Sequence, residues 1–165
     1  MKLSIAAAAL TIGLCTAGVA AADEVPPEFQ NRPTPADCYN AVPTIEVEKP
    51  GLVTFGGVGP DVIVGTPGPD VIWGMGGDDI IIGLGGDDEL HGGAGNDLIC
   101  AGAGNDRVQG GPDHDTVYGE PGDDRMRGGD GMDLLSGNAH LEGDAGDGEA
   151  GFDFCTASTE VQVSC

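Results

Sequence analysis

Basic residues are scarce in this sequence: six Lys and Arg stand against 28 Asp and Glu, for a formal net charge of −22. Such a balance repels duplex nucleic acid and anionic membrane and attracts cations. Aromatic residues are few, with one Trp, two Tyr and four Phe among 165 residues, which rules out a core built around rings. Long apolar runs are also missing. The stretch from Leu3 to Leu14 is too short to span a bilayer. With Lys2 before it and Ala20-Ala21-Ala22 after it, residues 1–22 have the layout of a secretory signal. A lipidated Cys15 is disfavoured by bulky Leu14, where a small residue would be wanted. The mature chain is therefore expected outside the cell, with no membrane span. It would keep five basic residues (Arg32, Lys49, Arg107, Arg125 and Arg127) and a net charge of −23. No Ser/His/Asp or Cys/His constellation is apparent, and residues 23–55 cannot hold a catalytic domain, so no enzyme is expected.

An acidic chain with 31 glycines and few aromatics would ordinarily be expected to stay disordered. Its internal order argues otherwise. From Gly56 to Ser136 the chain divides into nine units of nine residues without insertion, as in Gly92-Gly93-Ala94-Gly95-Asn96-Asp97-Leu98-Ile99-Cys100. Position one is Gly except at Ala101, and position four is Gly except at Asp113. Position six is always Asp: Asp61, Asp70, Asp79, Asp88, Asp97, Asp106, Asp115, Asp124 and Asp133. Position eight is always apolar: Ile63, Ile72, Ile81, Leu90, Ile99, Val108, Val117, Met126 and Leu135. Position five serves as the control, since it accepts Pro60, Asp78, Asn96, His114 and Met132 alike. A turn that only wanted a polar residue would look like position five, whereas position six never accepts Asn and so requires a carboxylate.

The pattern Gly-Gly-x-Gly-x-Asp-x-apolar-x resembles the haemolysin-type, or repeats-in-toxin, calcium-binding family over 81 contiguous residues. The resemblance implies an all-β parallel roll in which six residues form a calcium-binding turn and three form a short strand. The chain lacks the toxin, protease or lipase domain of large family members and looks more like small stand-alone members of secreted actinobacterial type. Elementary geometry agrees with this fold. Glycines permit positive backbone angles and bring carbonyls close together. Two units per coil place unit n below unit n+2 at about 4.8 Å. Calcium takes six to eight oxygen ligands from carboxylates and carbonyls.

The expected metal ligands are the nine position-six aspartates, with backbone carbonyls around Gly57, Gly59, Gly77, Gly86, Gly93, Gly95, Gly102, Gly104, Gly111, Gly122, Gly129 and Gly131. Pairing of Asp61 with Asp79, Asp79 with Asp97, Asp97 with Asp115 and Asp115 with Asp133 gives four gaps between turns. Asp70 with Asp88, Asp88 with Asp106 and Asp106 with Asp124 give three more, so at most seven Ca2+ sites are expected. With one buried apolar side chain per nine residues the core is thin, and metal binding is expected to supply folding energy. Zinc is a weak competitor, because His91, His114 and His140 lack paired spacing and read as solvated. Asp78, Asp87 and Asp123 at position five also read as solvated charge.

The flanks divide the remainder. Residues 23–55 read as a tether and capping strap, residues 56–136 as the repeats, and residues 137–165 as a degenerate repeat with a C-terminal cap. Val42 to Phe55 alternates enough for one or two short strands. The period resumes two residues late at Gly148, which makes Asp153 a further candidate ligand. Of the four mature cysteines, Cys100 and Cys155 sit about three coils apart, too far for a bridge. Cys38–Cys100 and Cys155–Cys165 are the geometrically easy pairs.

Outward positions on the odd-numbered units form an apolar strip: Val62, Val64, Ile80, Ile82, Leu98 and Cys100. Residues 38–55 are expected to cover it, with Val42, Ile45, Val47, Leu52 and Val53 available. The even-numbered units instead carry Arg107, Arg125 and Arg127 outward. The best reading is a monomeric, secreted, non-enzymatic protein that folds on binding Ca2+. The alternatives are an adhesion module for an extracellular glycan or cell-wall polymer and, further off, an accessory module of an extracellular enzyme.

Overall fold

The nine-residue spacing decides the architecture, because three extended residues and a six-residue turn return the chain to the same edge every two units. A computed structural model describes residues 33–137 together with the backbone of strands 145–151 and 154–156. After a short helix, α1 (Pro35–Asn40), come strands β1 (Ile45–Glu46), β2 (Val53–Phe55), β3 (Val62–Val64), β4 (Val71–Gly76), β5 (Ile80–Ile82) and β6 (Glu89–Ala94). Then follow β7 (Leu98–Cys100), β8 (Arg107–Pro112), β9 (Thr116–Tyr118), β10 (Arg125–Gly131), β11 (Leu134–Ser136), β12 (Ala145–Gly151) and β13 (Phe154–Thr156).

Odd-numbered strands stack in sequence into one parallel sheet of seven, and even-numbered strands into another of six. The result is a parallel β-roll. Within the repeats the register is 18 residues, as in Ile81 beside Ile99 and Ile72 beside Leu90. Beyond β11 it becomes 20, with Leu134 beside Phe154 and Arg125 beside Ala145, so the stack continues through the two-residue slip. Asp153, His140 and Cys165 lie outside the described residues, as do the proposed signal segment and the Cys155–Cys165 bridge. Among the described residues no helix is long and apolar enough to cross a membrane.

Position-eight side chains from both sheets meet between them. Ile63, Ile72, Ile81, Leu90, Ile99, Val108, Val117, Met126 and Leu135 form one continuous core with Val47 and Ala101. At about 2 kcal/mol for each fully buried aliphatic side chain, a coil gains only two such contributions.

The N-terminal segment differs from its expected course. Residues 45–55 do not lie over the outer face of the odd sheet; they form a leading coil. Ile45 pairs with Ile63, and Val53 with Val71, while Val47 enters the core. Val42, Leu52 and Val53 remain exposed. The reason is period: Val53-Thr54-Phe55 occupies positions seven to nine of a unit before the first Gly56, so stacking below β4 satisfies its backbone groups.

The cover is α1 instead, at the end of what read as a tether. Pro35 stands in its first turn, and Thr34 donates from its N–H and hydroxyl to Asp37 Oδ2 at 2.7 Å. Cys38 is fully buried and bonded to Cys100 of β7, in a cluster with Ile82, Leu98 and Tyr118. Two hydrogen bonds fasten the segment further along. Tyr39 donates to Glu120 Oε2 and Tyr118 donates to the Pro33 carbonyl, each at 2.7 Å.

Candidate metal centre

Positions one to six of each unit carry the turns, although β4, β6, β8 and β10 run on into positions one to three of the odd units, and the backbone is left-handed at positions two and four from the third unit onward. Gly77, Gly86, Gly95, Gly104, Gly122 and Gly131 at position four have positive φ, as do Gly93, Gly102, Gly111 and Gly129 at position two. Close approach explains the requirement. A Cβ on Gly95 would strike the Gly77 carbonyl, and one on Gly104 the Gly86 carbonyl. Carbonyls of one coil are thus pressed against the bare faces of glycines in the next. Four other residues accept this geometry: Met75, Leu84 and Glu120 at position two and Asp113 at position four, with φ of 83°, 76°, 66° and 87°.

Position six links the coils. On one edge the backbone N–H of an Asp donates to Oδ1 of the Asp 18 residues later: Asp61 to Asp79, Asp79 to Asp97, Asp97 to Asp115 and Asp115 to Asp133, each at 2.8 Å. On the other edge, Asp70 donates to Asp88 and Asp106 to Asp124 at 2.9 Å, and Asp88 to Asp106 at 2.8 Å. Seven expected pairs are therefore seven direct links. The Asp carbonyls accept the next coil's position-seven N–H, as in Leu98 to Asp79 at 2.9 Å.

One carboxylate oxygen is thereby used in stacking. The other, Oδ2 of Asp79, Asp88, Asp97 and Asp106, is buried with no hydrogen-bond partner. It lies against the position-one glycine of its own unit: Asp79 at Gly74, Asp88 at Gly83 and Asp97 at Gly92. The carbonyl of the next coil's position-one residue approaches the same face, with Gly110 O 2.7 Å from where a Cβ on Gly92 would stand. This explains why Asn never appears at position six. An amide oxygen could accept the stacking hydrogen bond, but only a carboxylate offers a second anionic oxygen toward the turn.

Buried carboxyls crowded in this way resist ionisation. Burial pushes the carboxyls of Asp88 and Asp97 up to about 7, Asp106 to about 6 and Asp115 to about 8, and raises Asp79 as well. The stacking N–H opposes the rise, while neighbouring carboxylates, such as Asp106 and Asp70 around Asp88, add to it. Among the described residues no three His, Cys, Asp or Glu side chains converge, so a cation held here must draw on main-chain oxygens too. Carboxylate and carbonyl oxygens are hard ligands suited to calcium. The donor chemistry fits the ion.

The matching comparison agrees. A family model described as the RTX calcium-binding nonapeptide repeat, in four copies, matches residues 55–90, 73–108 and 101–135. Through these residues the chain belongs to the RTX calcium-binding repeat family. No curated protein and no solved structure matches it.

The RTX turns are not all equivalent. In the first two, the position-two N–H folds back onto the carboxylate: Gly57 donates to Asp61 Oδ2 at 2.6 Å and Thr66 to Asp70 Oδ2 at 2.5 Å. Gly57, Gly59 and Gly68 are not left-handed there. Pro60, Pro67 and Pro69 fix φ at negative values and hold these two turns on another path. Asp113, in contrast, keeps the left-handed geometry of its glycine counterparts.

Position five carries a second ladder: Asp78, Asp87 and Asp123 are exposed, in keeping with solvated charge, and also take part in hydrogen bonds between coils. Asp78 Oδ1 accepts the Asn96 N–H at 2.8 Å, Asn96 Oδ1 accepts that of His114 at 3.2 Å, and His114 Nδ1 accepts that of Met132 at 2.9 Å. Asp87, Asn105 and Asp123 repeat the arrangement on the other edge. Tolerance of Asp, Asn and His, all side-chain acceptors, was the available signal. The position-one carbonyls gave none, because a main-chain oxygen leaves no side-chain requirement beyond glycine.

Proposed function

We propose that this is a secreted, non-enzymatic protein whose roll folds as Ca2+ binds between stacked turns. The observation that carries the reading is the repeated buried Oδ2 of Asp79, Asp88, Asp97 and Asp106, unpartnered and, in the first three, set against a glycine face. Isolated, such oxygens destabilise the coil they sit in. A bound divalent cation supplies the missing counter-charge and converts repulsion between successive turns into a cross-link.

The position-six carboxylates would hold the ion together with carbonyls of the glycine-rich turns. Asp115, Asp124 and Asp133 are buried in equivalent places and belong to the same set. Asp61 and Asp70 contribute less, since each already accepts a backbone N–H from its own turn. Fewer than seven ions are therefore expected. Extracellular calcium sites commonly bind at about 10⁻⁴ to 10⁻³ M. Synthesis at low calcium followed by export would then time folding to arrival outside the cell.

Titration calorimetry with Ca2+ and with Mg2+ tests this. Several calcium ions should bind, and magnesium should substitute poorly because it holds its waters and prefers octahedral geometry. Equal binding of both ions, or of neither, would refute the reading.

A further inference from the structure

We infer that the outer face of the six-stranded sheet binds a thin, linear, carboxylated polysaccharide. The inference uses the folded roll of the preceding section and adds a partner to it. Arg107, Arg125 and Arg127 all project from this face and are exposed. With Glu89, His91 and Gln109 they line a shallow open depression. Arg107 and Arg125 stand in register on adjacent strands. Parallel strands lie about 4.8 Å apart, so two like charges sit side by side in a protein where acidic residues outnumber basic ones 28 to six. Glu89 is in register with Arg107, but its Oε1 lies 3.2 Å from His91 Nε2. Asp147 stands in register beside Arg127, so Arg107 and Arg125 carry the attraction.

The shape of the face selects the partner. A strand offers outward positions seven and nine, about 7 Å apart along the chain. On either side run turn edges lined with acidic residues such as Asp78, Asp87 and Asp123. A wide polyanion such as duplex nucleic acid would press on those edges, within the ~8 Å over which charges act at physiological salt. A single narrow chain lying along the stack avoids those edges and meets the arginines, with Glu89, held toward His91, the acidic side chain lining the depression. The sheet's main-chain groups are paired within it, so an extended peptide finds no strand edge to join on this face. A glycan needs only side-chain donors. Beside the arginine column stand Gln109 and the stacked pair Trp73 and His91, ring centroids 3.7 Å apart. These place amide, indole and imidazole groups next to the cations, where sugar hydroxyls would fall.

The test uses the full mature chain in millimolar calcium, with hyaluronate oligosaccharides as the carboxylated probe. Neutral dextran, oligo(dT) and poly-glutamate are the comparison arms, and circular dichroism is recorded on every sample. Hyaluronate should bind, dextran should not, and the R107E/R125E pair should weaken binding at least tenfold with an unchanged calcium-induced spectrum. Should that pair fail to fold, R107Q/R125Q gives the same readout. Unchanged affinity in a folded variant would overturn the proposal, as would equal binding of oligo(dT) or poly-glutamate. Hyaluronate binding by a chain that is fully folded in chelator would instead remove the calcium reading and leave this surface standing.

Discussion

The backbone N–H of Asp79 donates to Oδ1 of Asp97 at 2.8 Å, while Oδ2 of the same carboxylate is buried against Gly92 without a partner. One side chain thus stitches two coils together and presents a bare anionic oxygen to the turn. Replacing Asp97 or Asp106 by Asn keeps an acceptor for the stacking bond and removes the second oxygen. The calcium concentration at the folding midpoint should rise about tenfold, equivalent to about 1.4 kcal/mol. Asp61→Asn should shift it less than about threefold, because the Gly57 N–H already occupies Asp61 Oδ2. Dichroism titrations of the three variants check this, and equal shifts would argue against ligation by the later turns.

Proton competition gives a second expectation. The carboxyls of Asp88, Asp97, Asp106 and Asp115 titrate at about 7, 7, 6 and 8 in the folded chain, against 3.8 for the unperturbed group. Between those values the folded metal-free roll binds more protons than the unfolded chain. Its stability is therefore greatest below the unfolded value and falls as pH rises through the folded values. Calcium needs the deprotonated form, and the disordered metal-free chain carries ordinary carboxyls that are already ionised above pH 5.5, so calcium-driven folding should release almost no protons and its midpoint should stay nearly flat from pH 5.5 to pH 8. Calcium midpoints measured across that range, with proton release by calorimetry, decide it. A midpoint that falls steeply as pH rises, with protons released, would show that the metal-free turns are already folded and protonated.

Left-handed backbone at Met75 and Leu84, with φ of 83° and 76°, is strained for residues bearing a Cβ. Both side chains are exposed, so little packing is lost on truncation. Met75→Gly and Leu84→Gly should each stabilise the calcium-loaded protein by about 1 kcal/mol, read from urea unfolding. Destabilisation by either would mean that the exposed side chain makes a contribution larger than the strain.

The Cys38–Cys100 bridge closes a sequence separation of 62 residues and holds α1 over Ile82 and Leu98. Replacing both cysteines by Ser should cost roughly 3–4 kcal/mol through the unfolded chain's added freedom. It should also bare an apolar strip, seen as increased binding of a hydrophobic dye in calcium. Unchanged dye binding would show that Tyr39–Glu120 and Tyr118–Pro33 hold the helix without it.

Much of this architecture could be read from the period of nine, because position eight and position six repeat without exception and each answers a single physical demand. Ile81 must face the core, and Asp97 must carry two oxygens. The flanks were harder to read. Residues 45–55 stack as a leading coil through main-chain pairing, which asks little of side-chain identity, and Val53-Thr54-Phe55 lacks the Gly and Asp that mark a unit. Helix α1 spans Pro35–Asn40, too short for a periodic apolar face, and its place is set by Cys38. The ladder through Asp78, Asn96 and His114 was hidden because three different side chains supply the same acceptor. The distinct first two turns were signalled by Pro60, Pro67 and Pro69, but their consequence, capture of Asp61 and Asp70 by their own backbone, required the structure.

The most direct test of the account is calcium titration of residues 23–165 followed by far-ultraviolet circular dichroism. In chelator the chain should be largely disordered, and millimolar calcium should bring β-structure in cooperatively, with magnesium a poor substitute. A chain already fully β-structured in chelator, unchanged by added calcium, would contradict it.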